Sequence, residues 1–183
     1  MKLHSIPLVF VLAISAALPA AAETAMTPEV SPPGDIPDNQ AFVPYSGQGF
    51  VLKVPEGWAR SAKGDATRFA DKFNTIEVLV LPDPGAKGPE AAKESLLADL
   101  AAKGRAVAIT GSAVVKTAAG PALHVTYDSN SDPNPVTTKQ LREENEVYVW
   151  GHGDHMVELV LTAPKGADNV DSWKLISSSF RWQ

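Results

Sequence analysis

The chain has 183 residues, no cysteine and a formal charge of −5. The missing thiol excludes disulfides, thiolate zinc sites and cysteine nucleophiles. The acidity argues against nucleic acid or anionic lipid as a partner, because both need clustered cations. Without cross-links the fold rests on core packing, and about 140 folded residues suffice, since a chain of that size buries roughly two-thirds of its unfolded surface.

Residues 1–22 have the make-up of a secretory signal peptide: Lys2, an apolar run Ile6–Leu18, then Ala20-Ala21-Ala22 as the small residues a signal peptidase requires. The run is short for a membrane span, and no cysteine follows it for lipid attachment. Cleavage before Glu23 removes Lys2 and takes the formal charge from −5 to −6. The mature chain is therefore expected in the periplasm or outside the cell, soluble, without an integral span, and monomeric. Residues 23–40 are Pro-rich and aperiodic, which predicts a flexible leader. Residues 41–183 are expected to form one domain.

Strands are predicted at Phe42–Tyr45, with Pro44 marking an edge, and at Phe50–Val54. Pro55-Glu56-Gly57-Trp58 breaks the second, with Trp58 folding back onto apolar surface. Thr67–Ala70 and Asn74–Leu81 follow; in the latter Ile76, Val78 and Val80 share a face. Pro82-Asp83-Pro84-Gly85 ends that run. A helix is predicted over Pro89–Lys103: Pro89 suits its first turn, Gly104 its C-terminal cap, and Ala92, Leu96, Leu97 and Leu100 make its apolar stripe. Ala106–Lys116 and Pro121–Tyr127 read as strands, and Ser129–Pro135 as a polar loop.

Thr137–Ala163 reads as the central hairpin of an antiparallel sheet, reversing at Gly151–Asp154. A last helix is expected over Asp168–Phe180, with Asp168 as N-cap and Val170, Trp173, Ile176 and Phe180 on its apolar side. The pattern predicts an α+β fold in which helices cover a single antiparallel sheet.

His152, Asp154 and His155 are the sharpest candidate metal ligands. A two-residue Gly153-Asp154 turn sets the two imidazoles opposite each other, where they offer two ligands to zinc or copper. A third would have to come from His124 or Glu158. The run Trp150–His155 is similar to the metallo-β-lactamase pattern H-x-H-x-D-H, but Trp150 stands where the first histidine belongs. The loop Asp128–Asn134 offers oxygen ligands for calcium through Asp128, Asn130, Asp132 and Asn134, without the glycine or terminal glutamate of an EF-hand. Glu143, Glu144 and Glu146 are a second acidic group, split between faces if they lie on a strand. Trp150 and Trp182 are the candidates for a ligand or partner surface, while Trp58 and Trp173 sit where core packing accounts for them. No nucleophile elbow or metalloprotease pair is present.

Gly49-Phe50-Val51-Leu52-Lys53-Val54-Pro55-Glu56-Gly57-Trp58, the hairpin running into Leu159–Pro164, and the closing Asp171–Trp182 come in an order that resembles the PsbP-like superfamily, the sandwich fold of PsbP and Mog. The resemblance covers Phe42–Trp182. It implies an α/β/α sandwich and a non-catalytic binding or accessory domain, with an unidentified protein or small ligand as partner and no required cofactor. The alternative is a divalent-metal protein using the Gly151–His155 tip or the Asp128–Asn134 loop.

Overall fold

The computed structural model describes residues 23–82 and 89–183; the expected signal peptide and the break at Asp83-Pro84-Gly85 lie outside them. The described residues form ten strands, in most of which buried and less buried residues alternate: β1 (Phe42–Ser46), β2 (Phe50–Pro55), β3 (Ala59–Lys63), β4 (Ala66–Ala70), β5 (Thr75–Pro82), β6 (Ala108–Thr117), β7 (Gly120–Asn130), β8 (Arg142–His152), β9 (His155–Pro164) and β10 (Arg181–Trp182). The helices are α1 (Lys93–Lys103), entered through a 3₁₀ turn at Pro89–Ala92, and α2 (Val170–Ser179).

Every strand pairing is antiparallel. The strands make two sheets and not the single one expected: β3-β4-β5-β9-β8-β7-β6, and a small sheet β1-β2-β10. β2 causes the split. Phe50, Leu52 and Val54 are 1–4% exposed, so one face of β2 must lie flat on the large sheet, and its edges pair with β1 and the end of the chain. Pro44 does lie in an edge strand.

The large sheet is covered on both faces. On one, the 3₁₀ turn and α1 lay Ala92, Leu96, Leu97 and Leu100 over Leu123, Val125, Val147 and Val149. On the other, α2 and the small sheet bring Trp173, Ile176, Phe180, Phe50 and Leu52 onto Ile76, Val78, Trp150, Leu159 and Leu161. Burying one such aliphatic side chain contributes about 1.5–3 kcal/mol, so the α2 face carries more of the core. This is an α+β sandwich, and β9 is its middle strand, next to β8.

Local chemistry shifts several boundaries. Gly104 has an ordinary extended conformation (φ −79°, ψ 159°); glycine is needed there because a Cβ would meet Val107 Cγ2 at 2.1 Å. α2 starts later than predicted because Asn169, not Asp168, precedes it, and Val170 is 74% exposed and off the apolar face. The side chain of Asn169 is turned away from the helix. Its Oδ1 accepts the Ile36 N–H at 2.7 Å, and its Nδ2 donates to Gly34 O at 3.0 Å and Asn74 Oδ1 at 3.1 Å.

Residues 23–40 have no helix or strand, as their composition requires, yet they lie against the domain. Ile36 is 5% exposed in the core cluster, and Asn130 holds the other end, accepting the Met26 N–H and donating to Thr24 O.

Candidate functional site

At the hairpin tip the predicted turn is present: Gly153 has φ +63°, and His152 pairs directly with His155. His155 Nδ1 lies 3.0 Å from Asp154 Oδ1, and this hydrogen bond holds the Asp154 carboxyl below its usual range. Both imidazoles rest on Trp182. The His152 ring stacks on it at 5.0 Å and the His155 ring meets it edge-on at 5.9 Å. A cleft of about 420 Å³ opens beside His155, between Gln48, Gly49, Val80 and Pro82.

The other proposed ligands do not join the tip. His124 lies opposite Tyr148, well down the hairpin, and Glu158 stands opposite Val149 on the α1 side of β9. Among the described residues no three histidine, aspartate or glutamate side chains are gathered for a metal ion.

The Asp128–Asn134 loop is also smaller than expected. β7 runs on through Asn130, so Asp128, Ser129 and Asn130 alternate between faces, paired with Glu144, Glu143 and Arg142. Asp128 is engaged by Lys165 and by Arg142, and Asn130 by the segment at Glu23–Met26. Of the acidic group, Glu144 and Glu146 share the α2 face, whereas Glu143 points to the other.

Trp150 is corrected from surface to core. It is 0% exposed, stacked on Phe180 at 4.1 Å and on Tyr148 at 5.5 Å, and its indole N–H donates to Thr117 Oγ1 at 3.0 Å. The alternation of β8 aims it under α2, although it stands only two residues before the tip. Trp182, half-buried, remains at the surface.

A more elaborate site lies on the α2 face. His124 and Tyr148 are opposite each other on β7 and β8 and stack at 4.4 Å and 16°. Glu146 Oε2 accepts the Tyr148 hydroxyl at 2.9 Å and lies 3.2 Å from His124 Nε2. Burial raises the Glu146 carboxyl, but these two hydrogen bonds outweigh it and hold the group below its usual range. Burial, then the Glu146 charge, pushes the Tyr148 phenol up to about 12, so it stays protonated at any physiological pH.

Over this pair, the end of β6 brings Lys116 and Thr117, the β6–β7 turn brings Ala118, and α2 brings Lys174, Ser177 and Ser178, with Arg181 of β10 just beyond. They enclose a cleft of about 550 Å³. Sequence reasoning missed it, since its parts come from five elements, β6, β7, β8, α2 and β10. One trace was legible: Lys174, Ser177 and Ser178 recur at helical spacing on one side of α2.

On the α1 face, burial and then the Asp132 charge push the Glu143 carboxyl up to about 7. The unfolded value is about 4.3, so the folded chain binds this proton more tightly. Its stabilising contribution is full below about pH 4 and is lost as pH rises through about 7. Urea denaturation should show stability falling over that window, and Glu143→Gln should flatten the fall. Parallel curves for the two proteins would remove Glu143 as the source.

The covered antiparallel sheet and its two helix layers define the class: a PsbP/Mog1-like α+β sandwich. The cyanobacterial PsbP of Synechocystis sp. PCC 6803 aligns over 82% of this chain and 99% of its own, at 14% identity and a TM-score of 0.53. The Saccharomyces cerevisiae Ran-binding protein Mog1p aligns over 79% and 95%, at 12% identity and a TM-score of 0.54. A Bacteroides thetaiotaomicron protein aligns over 74% of this chain at 13% identity and a TM-score of 0.48; the match spans 45% of that protein's length. No protein-family model and no curated protein matches the chain. No helix among the described residues is long and apolar enough to cross a membrane.

Proposed function

We propose that this chain is an exported, non-catalytic binding domain and that the cleft beside α2 receives its ligand. The observation that carries the reading is the cleft itself. It is about 550 Å³, walled by Lys116, Lys174, Ser177 and Arg181, with the His124–Tyr148 stack set against the buried Trp150 and Phe180. Concave sites of this size with a few convergent polar groups are where proteins bind small molecules and short segments of partners. The fold suits a binding role, since one protein that shares it is described as Ran-binding. Export rests on the make-up of residues 1–22.

A thermal-shift screen of the mature protein against a chemically diverse small-molecule set tests this. A ligand bound at 100 times its Kd adds about 2.7 kcal/mol and raises the midpoint. Ala118 is exposed on the β6–β7 turn, so Ala118→Trp fills the cleft without touching the core. Hits whose shift disappears in Ala118→Trp support the proposal; hits that keep their full shift in that variant contradict it.

A further inference from the structure

We infer that the cleft beside α2 selects small organic acids, binding them through a carboxylate; this rests on the cleft being the ligand site. The chain carries a formal charge of −5, yet Lys116, Lys174 and Arg181 converge here and none of the described lining residues is acidic. Neither Lys116 nor Lys174 forms an ion pair with a described carboxylate. Like charges held in one concave site repel, and an anion seated among them relieves that repulsion.

Arg181 is held in place: its Nη1 donates to Ser178 O at 2.7 Å and to Phe180 O at 2.5 Å. The rest of the guanidinium fork is left to a ligand, and its spacing matches a carboxylate. The Tyr148 phenol is committed to Glu146, which lies behind it. A bound acid therefore places its charge toward the lysines and Arg181, away from Glu146, and its body against Val115 and the ring stack.

Phosphate fits less well. α2 turns its C-terminal end, the negative end of its dipole, toward the cleft through Ser177 and Ser178, whereas phosphate sites favour helix N-termini. A singly charged carboxylate is opposed less than a dianion.

The test is an amide-shift titration of the mature protein with benzoate, with its neutral isostere benzamide, and with inorganic phosphate. Benzoate is expected to move the amides of Lys116–Ala118 and Lys174–Arg181, and to bind at least tenfold more tightly than benzamide. Both lysines are exposed, so the double variant Lys116→Gln/Lys174→Gln should fold normally and lose benzoate affinity at least tenfold. Equal binding of benzamide in the cleft would overturn the carboxylate preference and leave the cleft as the ligand site. Tighter binding of phosphate would overturn the choice of acid. Shifts that avoid the cleft for all three probes would overturn both readings.

Discussion

Trp150→Ala should lower the unfolding free energy by about 3–5 kcal/mol, the range for truncating a buried aromatic in a core. The indole is 0% exposed, lies at 4.1 Å on Phe180, and joins β8 to the residue where α2 hands over to β10. Cavity formation dominates the loss. Thr117 Oγ1, which loses the indole N–H, keeps the Ala119 N–H at 3.2 Å and its own bond to Gly120 O at 2.7 Å. Trp150→Phe keeps an aromatic ring in the stack and should cost far less than the alanine variant. Urea denaturation of the three proteins measures this. A loss below about 1 kcal/mol for Trp150→Ala would place the ring at the surface, where the sequence reading had it.

Asn169→Ala should cost about 2–4 kcal/mol, from two or more buried groups losing partners at about 1–3 kcal/mol each. The amide is 2% exposed, and its removal strands the Ile36 N–H and Asn74 Oδ1. Gly34 O is affected less, because Asn74 Nδ2 also reaches it at 2.9 Å. Asn169→Asp does not rescue: a carboxylate still accepts the Ile36 N–H, but it offers no donor to Asn74 Oδ1 and sets a buried charge against that oxygen. Proteolysis gives a local readout: residues 23–40 should be cut faster in the variant than in the wild type. Unchanged stability together with unchanged cleavage would mean that this segment is not held by Asn169.

What could be read from the sequence follows from what has a period. At Phe50–Val54, Asn74–Leu81 and the strand after the tip, apolar runs bounded by turn residues left the strands legible, and the shared face of Ile76, Val78 and Val80 and the glycine that turns the tip were legible too. β3 was not: all five of its residues are exposed, and a strand held only by its neighbour β4 shows no apolar alternation. β10 escaped for a similar reason, being two residues long.

The split into two sheets depends on β2 pairing with residues about 130 positions away, which no local pattern reports. The same distance problem hid the site. His124 and Tyr148 gave no motif, and Lys116, Lys174 and Arg181 are scattered singly through the chain. Trp150 misled because proximity to a polar tip was weighed above the pleat, which sends alternate residues to opposite faces. Asn74, Asn130 and Asn169 resemble turn residues in sequence, and their role as buried clamps exists only once the segment at 23–40 lies against them.

The account turns on the ligand entering beside α2 and not at the histidine tip. The most direct test compares two variants in one calorimetric titration with a hit from the thermal-shift screen: Ala118→Trp, which blocks the cleft, and His152→Ala/His155→Ala, which strips the tip. Binding should vanish in the first and stay within about twofold of wild type in the second, a difference under 0.5 kcal/mol. The reverse result, with binding lost at the tip and kept in the blocked cleft, would contradict it.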